Sequence, residues 1–166
     1  MKHTISILVE NNAGVLARIA GLFARRGYNI DSLAVGVTDD DTISRVTIVA
    51  DGNDHTIEQL VKQLNKLIDV IKVKTLKPDE LISRELLLIK VNVEPSQRSE
   101  VITTAKIMGA KVANISRSTM TLEISDTAQQ LATFEDLLSP YGVKEVVRTG
   151  IVAMQRGSEA ITLKYK

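Results

Sequence analysis

The chain has 166 residues, 44% of them hydrophobic, with 21 basic and 20 acidic side chains and no cysteine. That length holds one ordinary domain or two small ones, and the apolar share argues for a packed core and against disorder. The charges are interspersed, 9 basic and 9 acidic over residues 1–76 and 12 and 11 beyond, so neither half has the electrostatic footprint of a nucleic-acid or membrane-surface binder. Without cysteine, disulfides, thiolate metal sites and cysteine nucleophiles are excluded. The apolar run Ile5-Ser6-Ile7-Leu8-Val9 is too short for a signal peptide and ends at Glu10. No stretch approaches a membrane span, and the expected location is the cytoplasm.

Strand and helix signals alternate from the start. Residues 4–10 read as a strand with Ile5, Ile7 and Val9 on one face. Asn11-Asn12-Ala13-Gly14 is a loop, and a helix follows to about Arg26 on Leu16, Ile19, Ala20 and Phe23. Gly27 is placed to end it, because that cap needs a left-handed residue. Residues 28–38 alternate weakly, with Leu33, Val35 and Val37 on one face, and Asp39-Asp40-Asp41 makes a turn. A strand over 43–50 points Val46 and Ile48 inward. A helix over 54–68 uses Ile57, Leu60, Val61, Leu64 and Ile68, and 70–76 is a strand. The order βαββαβ is the ferredoxin-like arrangement, one antiparallel sheet with two helices on one face. Its other face is expected to stay uncovered in a lone unit, which invites pairing with a second copy.

Lys77-Pro78-Asp79-Glu80 marks a linker, drawn over 77–83, between a first domain at 1–76 and a second at 84–157. The same order recurs in the second domain. Strand 86–93 leads to helix 96–108, the strand pair 110–117 and 119–125, a helix over 127–139 on Leu131, Phe134 and Leu138, and a final strand over 143–154. Val9-Glu10 is echoed by Val93-Glu94, and Gly27 by Gly109. The fold class is therefore α+β, with two tandem ferredoxin-like βαββαβ domains. Residues 158–166 are left as a tail without an assigned element.

Catalytic chemistry is scarce. His3 and His55, the two histidines, read as solvated surface residues. There is no nucleophile elbow, no H-E-x-x-H and no phosphate loop. The Asn11–Gly14 loop is the most informative feature. A glycine lets backbone approach a ligand closely, unpaired N–H groups at a helix start attract a carboxylate, and an asparagine amide both donates and accepts. These groups suit a free amino acid. The same residues also suit an ordinary turn and cap, and the pattern alone fits both readings. In the second copy the corresponding loop is Pro95-Ser96-Gln97-Arg98, and Asn29 is matched by Lys111. The loop chemistry is confined to the first domain.

Val9-Glu10-Asn11-Asn12-Ala13-Gly14-Val15-Leu16, followed by Arg25-Arg26-Gly27-Tyr28-Asn29-Ile30-Asp31-Ser32-Leu33, resembles an ACT domain. More closely, the chain resembles the small regulatory subunits of acetolactate synthase (acetohydroxyacid synthase). The match continues through Gln63–Val70 and Arg84–Val91, and it is looser in the second domain. The resemblance implies a non-catalytic subunit that activates a large catalytic subunit and confers feedback inhibition by valine in branched-chain amino-acid biosynthesis. It implies a homodimer with valine held between two first domains, by Asn11, Ala13, Gly14, Val15 and Leu16 of one chain and Asn29 and Ile30 of the other. It places thiamine diphosphate, Mg2+ and FAD in the large subunit and no cofactor or metal in this chain.

Three rival readings are weaker or separable. Acylphosphatase-like chemistry needs an arginine cradle that the Asn11–Gly14 loop lacks. An RNA-binding sheet stacks bases on aromatics in its central strands, and the segments 4–10 and 43–50 contain none. A free-standing amino-acid sensor without an enzyme partner remains as the alternative.

Overall fold

The structure is a computed structural model that describes residues 1–162. The chain divides into two units. The first joins Met1–Ser83 to the stretch from Ile151 onward, and the second is Arg84–Gly150. Within the first, β1 (Lys2–Glu10), α1 (Val15–Arg25), β2 (Ile30–Val37), β3 (Ile43–Asp51), α2 (Asp54–Leu64) and β4 (Val70–Leu76) follow in the expected order. The strands pair antiparallel in the order β2-β3-β1-β4, the ferredoxin-like arrangement.

Period-two alternation sets the helix-facing side of this sheet. Ile5 and Ile7 lie opposite Ile48 and Val46 and are buried with Val9, Ile19, Phe23, Leu60 and Leu64. Helix α1 is rotated from its expected phase. Val15, Ile19, Leu22 and Phe23 are buried, while Leu16 is 43% exposed. Val15 and Leu16 are both apolar, so periodicity could not choose between them. Gly27 closes the helix at φ +69, with the Tyr28 N–H donating back to the Phe23 carbonyl at 3.0 Å. Helix α2 ends earlier than expected. Asn53 caps its start by accepting from the Thr56 N–H, and Asn65 ends it, its side chain donating to the Val61 carbonyl at 3.0 Å. Ile68 falls beyond that cap and is 92% exposed rather than buried on the helix face.

The second unit repeats the scheme. Its elements are β5 (Leu81–Asn92), which starts in the first unit, α3 (Arg98–Met108), β6 (Lys111–Ile115), β7 (Thr119–Asp126), α4 (Ala128–Leu138) and β8 (Val143–Arg148). The strand order β6-β7-β5-β8 matches that of the first sheet. A reciprocal capping box between Glu94 and Gln97 opens the segment leading to α3, and Gly109 closes that helix at φ +76. Leu131, Phe134 and Leu138 are all fully buried, as their spacing on α4 predicts, among Leu87, Ile89, Val101 and Leu122. Each such side chain contributes about 1.5–3 kcal/mol by leaving water. Arg148 bridges Glu85 at 3.3 Å and Glu135 at 2.8 Å, tying β8 to β5 and α4.

Four expectations need correction. Residues 81–83 are strand, not linker, because β5 begins at Leu81 and only the turn before it separates β4 from β5. The single strand expected over 143–154 is two, β8 and β9 (Val152–Gln155), broken where Gly150 takes φ +83. The stretch from Ile151 onward packs with the first unit, and Ile161, expected in an unplaced tail, is buried there with Ala153, Leu8, Ile43 and Leu76. The outer face of the first sheet is therefore partly covered by the chain itself. Residues 163–166 of the expected tail lie outside the described residues. Among the described residues no helix is long and apolar enough to cross a membrane.

Candidate functional site

The β1–α1 loop is held from below by backbone. The Asn11 N–H donates to the Thr42 carbonyl at 2.7 Å and the Glu10 N–H to the Asp69 carbonyl at 2.9 Å. The Asn11 side chain donates to the Asp41 carbonyl at 2.9 Å. That turn is itself braced, since Asp40 accepts from the Thr42 hydroxyl and N–H, and these two donors hold its carboxyl below the usual carboxylate range. The three aspartates of this turn thus act as turn residues.

Gly14 stands at the N-cap of α1 with φ +86, and no side chain caps the helix start. A left-handed residue here costs little only as glycine. Helices α2 and α4, by contrast, are capped by Asn53 and Thr127. The Val15 N–H donates to the Asn12 carbonyl at 3.4 Å, but the first turn of α1 has no acidic residue, so no side-chain charge of that turn opposes the positive end of the helix. The Arg18 guanidinium lies over the same spot, with its Nη1 3.4 Å from where a Gly14 Cβ would stand. Arg18 is fixed by Asp69, a buried carboxylate that accepts from Nε at 2.7 Å and from Nη2 at 2.6 Å. Arg18 was missed by the sequence reading. Its position four residues after Gly14 was a usable signal, but its partner lies fifty-one residues away in sequence.

Asn29 and Ile30 stand at the start of β2, and the exposed Asn29 amide donates to the Asp31 carboxylate at 3.0 Å. The two halves of the motif do not meet within one chain. Glu10 pairs with Ile43, whereas Ile30 pairs with Ala50. Those positions of β3 are seven residues apart, about 23 Å at the rise of a strand. Between them, on the open edge strand β2, Val35 and Val37 are exposed on the helix-facing side, as is Leu16 on α1. Ala13 is exposed and Val15 is buried beneath the loop. One chain thus offers carboxylate-binding groups at one end of the sheet, an amide at the other, and apolar side chains along the edge.

The family described as "AHAS small subunit-like ACT domain" matches residues 5–72. That described as "Small subunit of acetolactate synthase" matches residues 84–157. A probable acetolactate synthase small subunit of Archaeoglobus fulgidus is 48% identical over 159 residues, which are 96% of this chain and 99% of that one. The chain belongs to the acetolactate synthase small-subunit family. The acetolactate synthase small subunit of Mycolicibacterium smegmatis is 45% identical over 96% of this chain and 94% of its own length. The crystal structure of an acetolactate synthase small subunit from Thermotoga maritima superimposes with a TM-score of 0.90 at 38% identity, covering 96% of this chain and 99% of that one. The family's ACT-domain match covers the unit that carries the Asn11–Leu16 loop. Its second match starts where the second structural unit starts, at Arg84, and runs past Gly150 to include β9.

Proposed function

We propose that this small-subunit family member is a non-catalytic regulatory subunit. It raises the activity of a large acetolactate synthase subunit and makes that subunit sensitive to valine. The observation that carries the effector reading is the separation of the two motif halves across β3. Two chains related by a two-fold axis, pairing β2 against β2 antiparallel, bring Asn29 and Ile30 of one copy toward the end of the sheet where Asn11, Gly14 and Arg18 of the other stand. The ligand carboxylate then meets the open start of α1 and Arg18, its ammonium meets an asparagine carbonyl oxygen, and its aliphatic side chain rests among Leu16, Val35 and Val37. A ligand bridging two chains favours one arrangement of the pair, and inhibition requires that this arrangement act differently on the large subunit. An apolar wall discriminates one methylene by only ~1–3 kcal/mol, so leucine and isoleucine should compete weakly with valine. Thiamine diphosphate, Mg2+ and FAD belong, in this reading, to the large subunit, and the working compartment is the cytoplasm.

The subunit is expected to show no acetolactate-forming activity alone, with or without thiamine diphosphate. Mixed with a matching large subunit, it should raise turnover and bring inhibition by valine. Activity from the pure small subunit would overturn the regulatory reading. Valine binding with no effect on any large subunit would point instead to a free-standing sensor. The paired arrangement makes its own prediction. Sedimentation equilibrium at tens of micromolar should return at least a dimer, and valine should tighten it. A stable monomer that still binds valine would remove the inter-chain site.

A further inference from the structure

The outer face of the first sheet carries Ser32 on β2, Arg45 and Thr47 on β3, Ser6 on β1 and Lys74 on β4, as the pairing register places them. The chain from Ile151 crosses this face and is fastened to three strands in turn. The Ile151 N–H donates to Ser32 Oγ at 2.7 Å. The Arg45 guanidinium donates to the Ala153 carbonyl at 2.8 Å. The Lys74 ammonium donates to Gln155 and, at 2.9 Å, to Glu159. Beneath it the layer is not closely matched. Ser6 and Thr47 are buried, and the Ser6 hydroxyl has no partner among the described residues. The segment is held as well by the pairing of β9 with β5, by the Arg156 N–H donating to the Glu80 carbonyl at 2.8 Å and by Ala153 and Ile161, while the side-chain bonds to Ser32 and Arg45 have two discrete states, made and broken.

The first fastening lies next to the proposed effector contacts. The register of β2 slips between Ile30 and Ser32, leaving Asp31 as the extra residue of a bulge. Bulges re-aim neighbouring side chains. Asp31 holds the Asn29 amide and also pairs with Lys2 at 3.4 Å. A ligand that takes the Asn29 amide must take it from Asp31, at the bulge, and the residue after the bulge is Ser32. On the other side of the Ser32–Ile151 bond, the residue before Ile151 is Gly150, the last of the second unit.

We propose that residues 151–156 form a tether that carries effector occupancy from the bulge of β2 to the point where the chain leaves the second unit, with Ser32 and Arg45 as its positioning residues. The inference rests on the effector site argued above and adds the route by which that site acts. It predicts that loosening the tether separates binding from inhibition.

The test uses the full chain reconstituted with its large subunit, with valine as the probe. Ser32→Ala removes one hydroxyl and Arg45→Met keeps the stem while removing the guanidinium. Either variant should stimulate the large subunit as the native chain does, and the isolated variant should bind valine within about 3-fold of native, while the inhibition constant rises about 10-fold, within the usual range of coupling between sites. Hydrogen exchange gives a second readout. In the native complex valine should slow exchange of the 151–156 amides, and in Ser32→Ala that slowing should be lost. Native complex inhibited by valine, with both variants inhibited equally and the 151–156 amides indifferent to valine, overturns the tether alone. A native complex that ignores valine overturns the effector reading and the tether with it. Arg45→Met failing to assemble leaves Ser32→Ala and the exchange measurement to decide.

Discussion

Replacing Gly14 by aspartate should leave the chain folded and able to stimulate its large subunit, while weakening valine inhibition by roughly 100-fold or more. The reason for retained folding is local. An added Cβ meets only the far end of Arg18, at 3.4 Å, and no backbone. The φ of +86 strains any residue with a side chain, but aspartate tolerates the left-handed region better than most, and the cost is about 1 kcal/mol. The reason for lost inhibition is chemical. The new carboxylate stands beside Arg18 and the uncapped start of α1, the groups assigned to the carboxylate of valine. It occupies them permanently and repels a second anion in a partly desolvated site. Gly14→Ala supplies the control, since it carries the backbone strain without the charge, and it should weaken inhibition by far less. Asn29→Ala should also lose sensitivity, through the amide and not through charge. Inhibition curves of the reconstituted enzyme, paired with thermal melts of each variant, check all three. An aspartate variant that is folded and fully sensitive would place the site elsewhere, and one that unfolds would mean that Gly14 serves only the turn.

Much of the fold was legible because the pattern and the local chemistry agreed. The α4 triplet Leu131, Phe134 and Leu138 is spaced for one face and is fully buried, and Gly27 and Gly109 end their helices in the left-handed conformation their positions require. The pattern is ambiguous where two neighbouring residues serve equally. Val15 and Leu16 compete for the same phase of α1, and Ile68 extends the α2 pattern past a cap that uses asparagine in place of glycine. Gly150, at φ +83, is a glycine signal that separates β8 from β9. The tether was not legible, because it is fastened through the Ile151 N–H and the Ala153 carbonyl, and backbone groups leave no residue pattern. The candidate site was legible as a set of residues. Its geometry was not, since only the register of β1 and β2 on β3 shows that its two halves lie at opposite ends of one sheet. Arg18 needed the fold too, because Asp69 lies fifty-one residues on in the chain and comes beside it only when β4 pairs with β1.

Phe134→Ala should weaken the second unit severely and leave valine binding nearly intact. Phe134 is fully buried in the second core with Leu87, Ile89, Leu122 and Leu131. Removing its ring forfeits the transfer energy of a large apolar group and leaves a cavity that the rigid sheet fills only in part, a cost of about 3–5 kcal/mol. A unit that spans only Arg84–Gly150 has little stability in reserve, since small domains bury a smaller share of their surface. The first unit keeps a separate core built on Ile5, Ile7, Phe23, Ile48 and Leu64, and every residue of the proposed effector site lies in it. The two core clusters have no residue in common, and sites with no shared partners contribute nearly independently. Hydrogen exchange followed by mass spectrometry should therefore show peptides from 84–150 losing protection by roughly 100- to 4,000-fold, while peptides from β1, β3 and α1 keep theirs. Calorimetric titration of the same variant should return a valine affinity within about 3-fold of native. Loss of valine binding together with protection of the second unit, while the first unit stays protected, would move the effector contacts into the second unit and take the Asn11–Leu16 loop out of the site.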